Sequence, residues 1–281
     1  MSTLYSRDMK NLEDISNKLR RDIFKTAWAG KTGHIAPAFS LAEIMAVLYF
    51  GGVLRHNPQN PGDPARDRFI LSKGHACLAL YAALANAGYF PMPELKTFCL
   101  PGSRLGGHPK MKEIPGVEAS TGALGHGLAF GVGVALAGKL DSMDYKVYVV
   151  LGDGECQEGS VWESAMSAPH LKLDNLTVIV DHNKLQAMDR LENILDITPL
   201  GGKWSAFGWH VIEVDGHDIG GLTGAFDAPV AGKPKAIIAH TIKGKGVSFM
   251  ENVPLWHFRF PDEKELGILL KEFGMVEEDL G

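Results

Sequence analysis

Val147-Tyr148-Val149-Val150-Leu151-Gly152-Asp153-Gly154 is an apolar run that stops on a carboxylate held between two glycines. A run of β-branched and aromatic residues with no polar alternation predicts a strand covered on both faces. A second such run, Leu176-Thr177-Val178-Ile179-Val180, leads to Asn183, 30 residues after Asp153. Between them, Ser160 to Ala168 reads as a helix. Outward from this pair the alternation continues, with strands expected at Val211–Val214 and Ala236–Ala239, a helix near Leu222–Ala228, and an earlier strand at Phe69–Leu71. Strand and helix in alternation predict an α/β fold, a doubly wound parallel sheet with helices on both faces. In such sheets ligands bind beyond the carboxyl ends of the strands, where Asp153 and Asn183 both fall.

Upstream, Leu12, Ile15, Leu19 and Ile23 give one apolar helix face, ended by Gly30. Ser40 and Glu43 have the spacing of a capping box ahead of a helix over Ile44–Phe50. A helix is expected from His75 to Asn86, and a Pro- and Gly-rich loop from Phe90 to Gly122. The helix after Gly122 carries small residues at Gly125, Gly127, Ala129, Gly131, Gly133, Ala135 and Ala137. Glycine costs a helix about 1 kcal/mol relative to alanine, so this pattern predicts close approach of another backbone, a partner helix or a bound cofactor. A last helix is expected over Glu263–Phe273. No repeat or linker divides the chain, so residues 1–281 read as a single domain.

Composition narrows the function. The 28 basic and 33 acidic residues leave a net charge of −5, without the basic stripe that nucleic acid requires. No run approaches 18 apolar residues, and Met1 to Asp14 is too polar for a signal peptide, so no membrane partner is expected. Three cysteines (Cys77, Cys99, Cys156) lack zinc spacing and fit reduced thiols in a cytoplasm. With no secretion signal expected, the glycosylation acceptor triplet Asn175-Leu176-Thr177 is set aside. Glycine, at 33 residues of 281 against about 7% in average proteins, is concentrated at the motifs.

Alone, Gly-Asp-Gly is a common turn. Paired with an Asn at a second strand end it becomes a metal–phosphate site. Asp153, the Asn183 amide oxygen and the Leu185 carbonyl give three hard oxygen ligands, leaving room on Mg2+ for phosphate oxygens and water. The glycines let phosphate approach the backbone, and a helix starting near Gly159 would turn its positive end toward it. Two rival motifs fail. Gly30-Lys31-Thr32 has Lys25 where a P-loop needs its first glycine, and Gly125, Gly127 and Gly131 follow no strand.

The pairing resembles the thiamine diphosphate–metal signature, and Gly152-Asp153-Gly154-Glu155-Cys156-Gln157-Glu158-Gly159 is similar to its transketolase form. Thr32-Gly33-His34, Arg66 through Ala76, Gly107-His108-Pro109 and Ser120 through Gly125 extend the resemblance in order over residues 10 to 260. It implies thiamine diphosphate with Mg2+ (or Ca2+ or Mn2+ in its place), bound by Asp153, Asn183 and Leu185. It also implies that His75, Gly152, Gly154 and Glu158 line the cofactor, that Gly122 and Leu124 lie near its aminopyrimidine, and that Glu163 sits at a contact between subunits. His34, His108 and His257 match histidines facing the sugar; His56, His170, His182, His210, His217 and His240 carry no motif and read as structural.

Full-length transketolases continue with a pyrimidine-binding domain that supplies the activating glutamate. The expectation is therefore the N-terminal subunit of a split transketolase, paired with a C-terminal subunit in an α2β2 assembly and acting on sugar or sugar phosphate substrates. Three departures point to a specialised sugar: Ile35-Ala36-Pro37-Ala38-Phe39 after His34, His126 in place of glutamine, and Phe258-Arg259-Phe260 after His257. The other readings are the α subunit of a 2-oxo acid dehydrogenase and a non-catalytic regulatory subunit of the same fold.

Overall fold

A computed structural model of the chain describes residues 8–230 and 232–281; the beginning of the polar N-terminal stretch, residues 1–7, lies outside them. Helix α1 (Met9–Gly30) opens on Asp8, whose carboxylate accepts from the Lys10 amide, and closes through Lys31 in the left-handed region. The short α2 (Ile35–Phe39) and α3 (Ala42–Phe50) follow. Strand β1 (Arg68–Leu71) leads through a 3-10 turn over Gly74–Ala76 into α4 (Cys77–Asn86). Next come α5 (His126–Leu140), β2 (Val147–Gly152), α6 (Gly159–His170) and β3 (Leu176–His182). The order then runs α7 (Leu191–Ile194), α8 (Leu200–Ala206), β4 (His210–Asp215), α9 (Ile219–Asp227), β5 (Lys235–His240) and α10 (Glu263–Phe273).

The five strands form one sheet in the order β1-β2-β3-β5-β4, every pair parallel. Alternate residues enter different cores. Phe69, Leu71, Tyr148, Val150 and Ile179 join α1, α3, α4 and α9 in one apolar cluster. Ile70, Val149, Val178 and Val180 join α5, α6 and α8 in the other. The sheet is thus covered by helices on both faces, as the unbroken apolar runs predict. Edge strand β4 is the exception and stays partly exposed along its length. Among the described residues no helix is long and apolar enough to cross a membrane.

The segment after His34 is a short helix, with Ile35 through Phe39 all buried. Two expectations change. The capping box does not form, because the Ser40 hydroxyl bonds to the Pro37 carbonyl and to Asp181 while Glu43 is held by Arg20. A buried ion pair outbids a helix cap for the same carboxylate. Gly127 and Gly131 of α5 face their own sheet rather than a partner helix or a cofactor, while Ala129, Gly133 and Ala137 lie exposed on another face. A Cβ on Gly127 would meet Ser72 at 2.4 Å, and one on Gly131 would meet Val149 Cγ2 at 2.6 Å. The small residues let α5 lie close on β2.

That fit gives the first expected outcome. Gly131→Val should lower the unfolding free energy by about 1–3 kcal/mol through overpacking, measured by urea denaturation. The outward-facing Gly133, with nothing within 4 Å of its Cβ position, should tolerate alanine without loss.

Candidate active site

At the carboxyl ends of β2 and β3 the chain makes two turns that face each other. After β2, the Asp153 carboxylate folds back on its own turn, with Oδ1 accepting from the Gly154 amide at 2.7 Å. Its Oδ2 accepts from the Lys184 amide at 2.5 Å and from His182 Nδ1 at 3.1 Å, so β3 holds the carboxylate in place. After β3, Asn183 Oδ1 accepts from the Leu185 amide at 3.0 Å, an Asx turn that brings the Leu185 backbone round. Asp153, Asn183 and Leu185 line one cavity with about 580 Å³ of empty space, its open mouth included. Gly152, Gly154, His75, Leu124 and His257 also line it.

Beneath the cavity lies a fully buried ion pair. Asp181 Oδ2 accepts from Lys73 Nζ at 2.5 Å and from Ser40 Oγ at 2.7 Å, while Oδ1 accepts from Thr241. Burial alone would push the Asp181 carboxyl up, but Lys73 and the hydroxyl donors outweigh it and hold it below the usual carboxylate range. Lys73 Nζ also donates to the Pro37 carbonyl at 3.1 Å, tying α2 to the cavity floor. A second buried lysine, Lys243, follows β5. It donates to the Gln186 carbonyl at 2.8 Å and to His257 Nδ1 at 2.9 Å. Burial and the nearby Lys73 bring its pKa down to about 8, against the pull of Asp153 and Asp181.

Histidines gather at the mouth. The His34 ring lies 5.2 Å from those of His75 and His257 and 6.4 Å from His108. Burial, then the positive charges of Lys243 and Lys73, lowers His34 to about 4 and His257 to about 3, and holds His75 well below its ordinary value. An ammonium has no lone pair to offer, so Lys243 fixes the acceptor at His257 Nδ1 and leaves the proton on Nε2. The Phe258 ring lies against His34 in a tilted arrangement, centroids 4.7 Å apart, and is 61% exposed.

Most residues singled out from sequence converge here, with three differences. Gly122 lies beside a neighbouring cavity, with the His108 ring 3.2 Å from where its Cβ would be. Glu158 is exposed at the start of α6, outside the cavity wall, and its buried neighbour Glu155 takes that place, bonded to Ser72 and the Gly125 and Gly152 amides. The start of α6 is also held off by a 3-10 turn over Gly154–Gln157, so the first amides reaching the cavity belong to that turn. Lys73, Asp181, Gln186 and Lys243 were not singled out. A signal existed for two of them: Lys73 sits in the quoted Ser72-Lys73-Gly74-His75 stretch, and Lys243 in Lys243-Gly244-Lys245-Gly246 directly after a strand.

Residues 13–279 match the model of a family described as transketolase, thiamine diphosphate binding domain. The chain is 43% identical over 270 residues to one of the named subunits of the apulose-4-phosphate transketolase of Actinobacillus succinogenes, covering 95% of this chain and 98% of that one. It is 41% identical over 248 residues to the 6-deoxy-6-sulfo-D-fructose transketolase subunit SqwG of a Clostridium species, covering 88% and 90%. The transketolase structure from Leishmania mexicana superposes with a TM-score of 0.87 at 34% identity, covering 96% of this chain and 43% of that one. The chain therefore spans most of the length of the two subunit relatives and about two fifths of the solved enzyme.

Two outcomes follow from the site's electrostatics. Asp181→Asn leaves Lys73 charged and buried without its counterion, and should cost about 3–5 kcal/mol of stability at pH 7, read by urea denaturation. The depressed imidazoles act in the acid range. Between pH 6.5 and about 4 the unfolded chain binds protons that native His34 refuses. Their contribution is complete above pH 6.5, declines as pH falls, and levels off below the native values. The denaturation midpoint should drop between pH 7 and pH 5, and a His34→Gln, His257→Asn double variant should flatten that slope.

Proposed function

The chain belongs to the transketolase family, and on that premise we propose that it is the diphosphate-binding subunit of a split transketolase. With a second subunit it transfers a two-carbon ketol unit from a ketose donor to an aldose acceptor. The observation that carries this reading is the single cavity in which three hard oxygens, two buried lysines and a cluster of uncharged imidazoles meet.

The donor set fits Mg2+ and a diphosphate. Asp153, the Asn183 amide oxygen and the Leu185 carbonyl are the oxygen ligands a small hard cation takes. Gly152 and Gly154 keep that wall free of side chains, and Lys73 and Lys243 supply positive charge to an anionic group. Ca2+ or Mn2+ would satisfy the same oxygens. His75 and Leu124 border the same space. When bound, thiamine diphosphate supplies the electron sink that lets the carbon–carbon bond beside a ketose carbonyl break and re-form.

The chain's own residues hold substrate and move protons. At neutral pH His34 and His257 are uncharged, so each offers one donor and one acceptor to sugar hydroxyls. His257 presents Nε2–H, fixed by Lys243 behind it. His108, on the loop next to Gly107, faces the same mouth beside His34.

Both of the near-full-length relatives are named as subunits, which supports a partner chain for this one. We assign that partner the pyrimidine-binding domain and its activating glutamate, in an α2β2 assembly. The exposed Phe130 of α5 and Met166 of α6, with the exposed Glu163 one turn before Met166, form a surface it could cover. The family match disfavours the 2-oxo acid dehydrogenase reading, and the complete donor set speaks against a non-catalytic subunit. Free Cys77, Cys99 and Cys156 agree with a reducing cytoplasm, and residues 1–281 with one domain. Phe258 against His34, and relatives named for apulose-4-phosphate and 6-deoxy-6-sulfo-D-fructose, favour a specialised sugar over ordinary pentose phosphates.

The test is ketol transfer by the chain with and without its co-purified partner, across a panel of ordinary, branched and sulfonated ketoses. Activity should need the partner, thiamine diphosphate and divalent metal, and Asp153→Ala in the complex should abolish it. Full turnover by this chain alone would sink the split-enzyme reading. Undiminished activity of the Asp153→Ala complex would sink the assigned site.

A further inference from the structure

Where β5 ends, the chain turns out of the sheet and carries Lys243 under the cavity. The Thr241 amide donates to the His182 carbonyl at 3.2 Å, and the Gly244 amide donates to the Ala36 carbonyl at 3.1 Å. Between these two backbone bonds the Ile242 amide is taken by a side chain, donating to His217 Nε2 at 2.8 Å. The next residue is Lys243, whose Nζ meets the Gln186 carbonyl and His257 Nδ1.

His217 is itself held from behind. It lies in the turn between β4 and α9, with its amide donating to Asp215 Oδ1 at 2.8 Å and its Nδ1 at 2.9 Å from Glu43 Oε2. The same Glu43 oxygen accepts from Arg20 Nη2 at 2.6 Å, and Arg20 Nη2 also reaches the Phe39 carbonyl at 3.4 Å. Burial would push the Glu43 carboxyl up, but the His217 hydrogen bond and the Arg20 charge outweigh it and hold it below the usual carboxylate range. An ionised carboxylate only accepts and a backbone amide only donates. The two contacts therefore fix the tautomer, with the proton on Nδ1 and the acceptor at Nε2. Arg20 of α1, Glu43 of α3 and the β4–α9 turn thus converge on one backbone amide beside Lys243. His217 lines no part of the cofactor cavity, and its nearest link to the cavity runs through that amide.

We propose that His217 is a positioning residue for the ketol transfer assigned above, acting through the Ile242 amide and Lys243 on the orientation of His257. The role of His257 rests on that assignment; the chain of contacts does not. The sequence offers no motif at His217, because its acceptor role exists only once β4 and β5 lie side by side, with Asp215 opposite His240.

Two substitutions divide the ring's two contacts. Asparagine places its amide nitrogen near Nδ1, so His217→Asn keeps a donor for Glu43 and leaves the Ile242 amide bare. Glutamine places its amide oxygen near Nε2, so His217→Gln keeps the acceptor for Ile242 and leaves Glu43 to Arg20. The first readout is nitrogen NMR of the full chain carrying isotope-labelled histidine at pH 7, with His257→Asn assigning the His257 signals. His257 should show a single tautomer, protonated on Nε2, in the wild type and in His217→Gln, and a mixture of both tautomers in His217→Asn. The second readout is ketol transfer by the complex with the partner chain. His217→Asn should raise KM for the ketose about tenfold, the worth of one hydrogen bond, with kcat within about twofold, and His217→Gln should recover most of that loss. A merely structural role would instead make KM follow the urea midpoint, with the glutamine variant no better than the asparagine one. An unchanged His257 ring in His217→Asn, an unchanged KM, or an equal loss in His217→Gln overturns the proposal. A wild-type complex inert toward every ketose would overturn the assigned function, while the ring nitrogens still decide whether His217 positions His257.

Discussion

The Asp181 carboxylate, fully buried at the end of β3, is the point on which the site is built. A lone carboxylate at that depth would be expensive, and its cost is offset only by donors converging from elsewhere in the chain. Those donors are Lys73 from the segment after β1, Ser40 from the end of α2, Thr241 from the end of β5 and the nearby Asn183 amide at 3.4 Å. Each donor lies next to a residue of the cavity: Lys73 beside His75, Thr241 beside Lys243, and α2 directly after His34. One buried charge thus fixes the relative positions of loops that are distant in sequence. A fully satisfied network of this kind rigidifies its surroundings, because every member is needed to compensate the others.

The same burial sets the chemistry above it. Lysine charges under the cavity and restricted water at its mouth both disfavour imidazolium, so His34, His75 and His257 are uncharged over the whole physiological range. A cluster of charged histidines would repel itself and the lysines. A cluster of neutral ones can sit with ring centroids near 5 Å and still offer directional donors and acceptors. Positive charge is left to the two lysines deeper in the cavity, so charged donors and uncharged donor–acceptor groups are separated by depth.

Much of this was legible in the sequence, and the reason is local. The strand runs at 147–151 and 176–180, the turn residues Asp153 and Asn183, and the glycine-flanked histidines are each defined by their immediate neighbours. The parallel sheet and the covering of both its faces follow from unbroken apolar strands. What stayed hidden depends on contacts between distant segments. Ser40 and Glu43 have a capping box's spacing, yet Asp181 and Arg20 claim them from 141 and 23 residues away. Asp181 itself looks like the last residue of a strand, and nothing in its vicinity announces four donors. Gly127 and Gly131 of α5 gave the right inference of close packing, but against the sheet of their own chain, because spacing shows that a face is thin without showing what lies against it.

The departures from the family pattern divide along the same line. Ile35 through Phe39 are buried, and Pro37 offers its carbonyl to both Lys73 and Ser40, so that segment is accounted for by packing and by the ion pair below it. Its apolar character therefore says little about the sugar. Phe258 is different, since a mostly exposed ring is not held there by a core. Its contact is His34, at the mouth, where it takes space from any group approaching that imidazole and offers an apolar face in its stead. An exposed ring held against an imidazole at the cavity mouth owes its place to that contact rather than to a core, which sets Phe258 apart from the buried segment after His34.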